Sequence, residues 1–252
     1  MTSLAQTVKA AVSRFLDKSL AEEIVILYSG GRDSTVLLEI LSNIKCHLDV
    51  AVRAIHINYN LTPGSAEQAD RCELFAKKKN VDLRVHNVLQ VPPKGQSIEE
   101  WARNIRYDIA GQSSCYRSLV ITGHHLNDQT ETVIQRFLTG AGPYGLRGIV
   151  PLRRLGSGFL GRPLLTISRQ EITTYAESRN LSWYEDPMND NLRYERNEVR
   201  KVILPKLESI SKGLVSRLES LSKIQREIAE ILDSLADSHL LSERNLPKSL
   251  SI

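Results

Sequence analysis

The chain reads as an α/β protein built on a doubly wound parallel sheet of about five strands, with a helical extension toward its C-terminal end. Three observations predict this. Apolar runs at Ile24–Tyr28, Val50–Ile57, Val81–Val88 and Leu119–Thr122 alternate with helical patterns. The runs are apolar and rich in β-branched residues, as parallel strands covered on both faces are. Beyond Gly161 the strand signal stops and helical periodicity continues alone.

The elements follow in order. Leu4, Val8, Val12, Phe15 and Leu16 mark one face of an opening amphipathic helix, with no signal-type apolar stretch. The first strand breaks at Ser29-Gly30-Gly31-Arg32-Asp33-Ser34 and runs into the helical pattern Val36, Leu37, Leu38, Ile40, Leu41. The second strand leads through a Thr62-Pro63-Gly64 turn into a helix from about Ala66 to Lys79. A third strand, Val81–Val88, precedes a helix that starts near Ser97, where Ser97 and Glu100 have capping-box spacing. The fourth strand ends in Gly123-His124-His125 before a helix over Asp128 to Leu138. Later helices are expected near Ser168–Arg179 and over Leu214–Leu240, with a basic amphipathic stretch from Tyr194 to Leu207 and a loose tail from Asn245 to Ile252. We divide the chain into a catalytic domain, 1–207, and a helical arm and tail, 208–252.

Composition bounds the class. Of 252 residues, 41% are apolar and 25% charged, which is ordinary for a soluble globular protein. No run approaches the roughly 20 apolar residues a membrane span needs. Cys46, Cys72 and Cys115 are scattered with no Cys-x-x-Cys pair, which argues against a disulfide framework or a local metal cluster and makes a reducing cytoplasm the simplest compartment. The net charge is +4, and Arg136, Arg147, Arg153, Arg154, Arg162 and Arg169 fall between Glu131 and Glu171, where there is no acidic residue. This glycine-rich, arginine-only stretch reads either as a flexible phosphate-binding segment or as a solvated loop.

Two strand ends carry the chemistry. At Ser29–Ser34, paired glycines between a strand and a helix let backbone N–H groups and the helix dipole hold a phosphate chain. Ser29 and Ser34 add hydroxyls and Asp33 a carboxylate for magnesium, while the Walker lysine is missing; by itself a Gly-Gly pair is also an ordinary turn. At His124–Glu131, Asp128 and Glu131 lie one helical turn apart and can hold or deprotonate an amine, or can serve the helix N-terminus instead. His125 can shuttle a proton or stabilise charge beside a phosphate. Both segments sit at carboxyl ends of strands, where ligands of such sheets collect, and so can share a cleft. Glu99, Arg103, Arg106 and Tyr107 have helical spacing and form either a salt-bridge ladder or an anion-facing set. Arg193, Tyr194, Arg196, Asn197, Arg200 and Lys201 form a second basic patch.

With these blocks in view, the chain resembles the PP-loop ATP-pyrophosphatases, a Rossmann-like family, and within it the branch that makes lysidine in tRNA. The blocks are SGGRDS at Ser29, IHINYNL at Ile55, IEEWARNIRY at Ile98, TGHHLNDQTET at Thr122, GAGPYGLRGI at Gly140, RPLL at Arg162, EDPMNDNLRYERN ending at Asn197, and Leu204-Pro205. The resemblance implies that ATP adenylates the C2 oxygen of the wobble cytidine in an isoleucine tRNA with a CAU anticodon, releasing pyrophosphate. The amine of free L-lysine then attacks C2 and expels AMP. It implies Asp33, His125 and Asp128 as catalytic residues. It places ATP on Ser29, Gly30, Gly31, Arg32, Asp33 and Ser34, with Mg2+ on Asp33. Arg103, Arg106 and Glu131 would face lysine or cytidine, and Arg147, Arg162, Arg196 and Asn197 the tRNA. A homodimer is compatible with the sequence. Two other readings are a tRNA thiolase of the same fold, which generally needs catalytic cysteines, and a catalytically silent tRNA-binding module.

Departures from the family pattern accompany this. Asn58-Tyr59-Asn60 replaces a His- and Gly-containing sequence, Asn127 stands where an aspartate is usual, and Met188 and Asn191 replace polar and acidic positions. Longer members carry C-terminal domains that help grip the tRNA, so a minimal or truncated form is expected here.

Overall fold

The computed structural model describes residues 3–113, 117–185 and 195–244. Cys115, the Pro187 turn, Met188, Asn191, Arg193, Tyr194 and the tail from Asn245 lie outside the described residues. The chain divides into two compact units, Met1–Leu126 with Pro151–Asp190, and Asn127–Val150 with Asn191–Ile252. These cut the chain differently from the sequence division at Leu207.

The first unit opens with α1 (Ser3–Ser19) and β1 (Glu23–Leu27), followed by α2 (Arg32–Ile44), β2 (Ala51–Asn58), α3 (Ser65–Lys78), β3 (Asp82–Asn87), α4 (Ile98–Ser113) and β4 (Ser118–Ile121). It resumes with β5 (Leu152–Leu155), β6 (Gly158–Gly161) and α7 (Arg169–Ser178). The sheet has six strands in the order β3-β2-β1-β4-β6-β5, all parallel except the β5–β6 pair. The chain therefore leaves β1 for β2 on one side and returns later to β4 on the other, so the switch point of the doubly wound sheet lies between β1 and β4.

Alternation along the strands sets the two layers. Ile24, Ile26 and Tyr28 face a core with Val8 and Val12 of α1, Leu37 and Leu41 of α2, Cys72 and Ala76 of α3, and Ile172 of α7. Val25, Leu27, Val120 and Leu160 face the opposite side with Ala110, Tyr107 and Ile109 of α4. α7 starts where expected because Ser168 and Glu171 form a reciprocal capping box.

Six strands replace the expected five or so. Residues 152–161, which composition reads as part of a flexible arginine-rich loop, form the hairpin β5–β6, and β6 pairs with β4 through Leu119–Phe159 to Ile121–Gly161. The glycines of β6 and the arginines of β5, the short edge strand, hide this hairpin from a periodicity reading.

The second unit holds most of α5 (Leu126–Leu138), α6 (Pro143–Leu146), α8 (Glu195–Glu198), a π-helical turn (Val199–Ile203), α9 (Leu204–Ile210) and the long α10 (Leu214–Arg244). Its apolar centre joins Ile134, Val199, Leu204, Ile203 and Leu218. Buried Gln129 links three pieces of this unit. Its Nε2 donates to the Arg147 carbonyl (3.1 Å) and the Ser222 hydroxyl (3.0 Å), and its Oε1 accepts from the Ile149 N–H (2.6 Å).

Candidate active site

The loop between β1 and α2 is preorganised by its own side chains. Gly30 sits at φ +80°, and a Cβ there would lie 2.7 Å from Cys72 Sγ, so backbone conformation and space both require glycine. Ser29 and Ser34 hydroxyls lie 3.0 Å apart, and the Ser34 and Thr35 hydroxyls donate to the Gly31 carbonyl at 3.0 and 2.9 Å. The loop is tied from outside by the Gln68 amide, which donates to the Ser29 carbonyl (2.8 Å), and by the Tyr184 N–H, which donates to Gly30 (2.9 Å). Burial pushes the neighbouring Cys72 thiol up to about 12 and also raises the Tyr28 phenol. The result is a rigid strand–glycine–helix junction at a helix N-terminus, the arrangement that receives phosphate oxygens on backbone N–H groups.

The end of β4 closes against this loop. A Cβ on Gly123 would stand 3.2 Å from the Asp33 carbonyl carbon and the Ser34 nitrogen, so the chain passes close to the first turn of α2. Buried His125 brings Nε2 to 3.6 Å from Asp33 Oδ2. The other Asp33 oxygen accepts from Arg32 Nε (2.9 Å) and Nη2 (2.7 Å). Two segments nearly a hundred residues apart thus meet at one strand end, and Asp33 and His125 are neighbours. His124 Nδ1 lies 2.8 Å from the Thr122 hydroxyl.

In the second unit the acidic pair of α5 is partnered. Arg196 lays Nη2 on Asp128 Oδ1 (2.6 Å) and Nε on Glu131 Oε2 (2.7 Å). Arg200 lays Nε on Glu131 Oε1 (2.6 Å) and Nη2 on Oε2 (3.0 Å). Glu131 is 1% exposed, and its three bonds from two guanidinium groups are what allow the charge to be buried. Burial opposes the Arg200 charge, but bonds to Glu131 and the nearby carboxylates outweigh it and raise its pKa. Arg200, an expected basic-patch residue, is a carboxylate partner. The signal was available: Arg196/Arg200 and Asp128/Glu131 are complementary pairs at helical spacing. Asn197 is buried beside them in sequence.

The remaining expected residues fall into separate settings. On α4 the Arg103 guanidinium lies 5.3 Å from the Tyr107 ring, and Arg106 Nε donates to the Tyr59 hydroxyl (3.3 Å), which donates to the Ala102 carbonyl (3.1 Å). Tyr59, one of the departures, thereby supports Arg106. The neighbouring turn is closed by Asn60 N–H to Asn58 Oδ1 (3.0 Å) and by Asn58 Nδ2 to Asn87 (3.1 Å). Arg162, directly after β6, is buried, and Arg147 of the second unit stacks 5.1 Å over Tyr144. Among the described residues there is no group of three His, Cys, Asp or Glu side chains that could hold a metal. Asp33 still fits magnesium in one way, since that ion is commonly held by one or two carboxylates together with substrate phosphates.

Fold and glycine loop together define a nucleotide-binding α/β domain. A model of the PP-loop domain matches residues 4–207, and the chain belongs to that ATP-binding family. It is similar to the tRNA(Ile)-lysidine synthase of Francisella philomiragia, 34% identical over 238 residues that cover 93% of this chain and 58% of the relative. It is also similar to that of Coxiella burnetii, 36% identical over 215 residues, 85% of this chain and 48% of the relative. The chain thus spans about half the length of the curated relatives it matches. A U34-tRNA thiolase from Methanococcus maripaludis shares the fold, with a TM-score of 0.71 at 17% identity over 88% of this chain and 79% of that one.

Proposed function

We propose that the protein ligates L-lysine to C2 of the wobble cytidine of an isoleucine tRNA with a CAU anticodon, using ATP and releasing AMP and pyrophosphate. The observation that carries the reading is the junction of the glycine loop with Gly123 and His125, on a chain that resembles lysidine synthases along most of its length.

In the first half-reaction the Ser29–Ser34 loop holds the phosphates of ATP through backbone N–H groups and the Ser29 and Ser34 hydroxyls. Asp33 would hold Mg2+, which supplies charge neutralisation on the phosphates when bound. Arg32 keeps the Asp33 carboxylate oriented. The C2 oxygen of cytidine bonds to the α-phosphorus as pyrophosphate leaves, and His125 stabilises the charge there or moves a proton. Arg103 and Arg106 face anionic groups of the substrate. In the second half-reaction Asp128 with Glu131 holds the lysine amine, Asp128 takes the proton the amine gives up as it bonds to C2, and AMP departs with the former C2 oxygen. Those carboxylates already accept the guanidinium of Arg196, so the pair suits a cation, and lysine takes this place in exchange for Arg196. Arg147 and Asn197, with Arg162, serve the tRNA. The scattered cysteines, with no Cys-x-x-Cys pair, suit a reducing compartment, and we assign the reaction to the cytoplasm on that ground. No helix among the described residues is long and apolar enough to cross a membrane.

Pyrophosphate and AMP release are measured with ATP, lysine and unmodified isoleucine tRNA. The reading expects pyrophosphate release that requires the tRNA and AMP release that requires lysine. Retained tRNA binding with no turnover would support a silent binding module instead.

A further inference from the structure

The peptide groups that run from Ser29 to Arg32 have each of their carbonyls claimed. Gln68 of α3 donates from Nε2 to the Ser29 carbonyl (2.8 Å). The Gly30 carbonyl accepts from the Tyr184 N–H (2.9 Å) and, at longer range, from the Thr35 hydroxyl (3.4 Å). The Gly31 carbonyl accepts from the Ser34 hydroxyl (3.0 Å), the Thr35 hydroxyl (2.9 Å) and the Thr35 N–H (2.9 Å). Ser34 and Thr35 belong to the helix that the loop itself opens, and Tyr184 offers its main chain. Gln68 instead reaches in as a side chain from another element, 39 residues along the chain from Ser29.

In a planar trans peptide the C=O and the N–H that follows it point in opposite directions. Holding the Ser29 carbonyl against α3 therefore aims the Gly30 N–H away from α3. Holding the Gly30 carbonyl at Tyr184 likewise aims the Gly31 N–H away from Tyr184. That second donor meets Ser29 Oγ (3.4 Å), itself 3.0 Å from Ser34 Oγ, so it stands on the side of the two hydroxyls. The Gly30 and Arg32 N–H groups have no hydrogen-bond acceptor among the described residues. Donors left open where a strand passes into a helix are what an anion uses.

Of these peptide groups, Ser29–Gly30 is the one that most needs a tether. Turning it over changes the sign of the Gly30 φ, now +80°, and glycine takes either sign about equally readily. The residue that permits the tight turn thus also permits the wrong one. Gln68 stands over this position, with Nε2 and Cγ 3.6 and 3.8 Å from where a Gly30 Cβ would be.

We propose that Gln68 is a positioning residue of the phosphate site: its amide locks the Ser29–Gly30 peptide so that the Gly30 N–H is presented to the phosphate chain of ATP. Gln68 touches no substrate and moves no proton; it acts through the backbone of the loop. The inference rests on the proposed use of the glycine loop for ATP, and not on the lysine or tRNA steps.

The test measures binding of ATP, pyrophosphate and adenosine to the full chain by calorimetry, with circular dichroism to check that each variant folds. Gln68→Met keeps the length of the side chain and removes the donor. It is expected to weaken ATP and pyrophosphate binding about five- to tenfold, as loss of one net hydrogen bond would, and to leave adenosine binding unchanged. Gln68→His keeps an N–H at similar reach and is expected to hold ATP affinity within about threefold of the wild type. Unchanged ATP affinity in folded Gln68→Met overturns the assignment. An equal loss for ATP and adenosine also overturns it, because Gln68 would then support the site as a whole rather than its phosphate donors. Equal losses in Gln68→Met and Gln68→His overturn the role of the donor. A wild-type chain that binds ATP yet leaves isoleucine tRNA unmodified defeats the proposed ligation alone, and the comparison of variants still decides Gln68. A wild-type chain that binds neither ATP nor pyrophosphate overturns both.

Discussion

Gly30 holds a backbone conformation that other residues adopt at a cost, and Cys72 Sγ occupies the space a side chain would need. Gly30→Ala is expected to destabilise the chain by about 1–3 kcal/mol in urea unfolding, with part of the loss recovered in Gly30→Ala/Cys72→Ala. No recovery would show that backbone strain alone sets the cost. Glu131 is buried between two guanidinium groups that are each about a quarter exposed. Glu131→Gln is expected to cost about 2 kcal/mol, below the range for fully buried pairs because water screens the arginines. It is also expected to raise the KM for lysine, which a purely structural role would leave unmoved. His56 is buried with Nδ1 2.9 Å from the Tyr28 carbonyl, and burial lowers its pKa from 6.5. The unfolded chain therefore binds a proton that the folded one resists, so this contribution is present above pH 6.5 and is lost as pH falls below it. Urea midpoints measured from pH 7.5 to 5.5 should fall more steeply for the wild type than for His56→Gln; parallel curves would remove His56 from the pH dependence.

At the scale of elements, what the sequence makes legible depends on whether its determinants are local. The strand–glycine–helix junction at Ser29–Ser34 and the strand end at Gly123–His125 announce themselves through neighbours in sequence, and the structure joins them at Asp33 and His125. The capping box at Ser168–Glu171 is equally local. Ser168→Ala removes the acceptor for the Glu171 N–H and should cost about 1 kcal/mol by thermal or urea unfolding, whereas an unchanged midpoint would make the box dispensable. The hairpin β5–β6 could not be read this way. Its glycines and arginines carry no alternation, and pairing with β4 makes it a strand. Gln129 is likewise silent in sequence, although its amide fixes the 147–149 segment expected to be flexible. Arg103 of α4 and Arg153 of β5 both stand over the Tyr107 ring, and no spacing rule reaches that meeting of two elements.

For the whole molecule, the parallel strands place both chemistry-bearing turns of the first unit at one edge of the sheet, where the switch between β1 and β4 opens. The second unit supplies a carboxylate pair complementary to a cation and an ordered, arginine-bearing loop. The family is that of ATP-binding PP-loop domains, and the chain spans about half of its lysidine-synthase relatives. Its own catalytic competence is therefore the central claim. The most direct measurement is mass spectrometry of the isoleucine tRNA anticodon fragment after incubation with this chain, ATP, Mg2+ and L-lysine. The expected result is a wobble cytidine heavier by one lysine less one water, formed only when ATP and lysine are both present and lost in Asp33→Asn. An unmodified cytidine after incubation with a folded, ATP-binding chain would contradict the account.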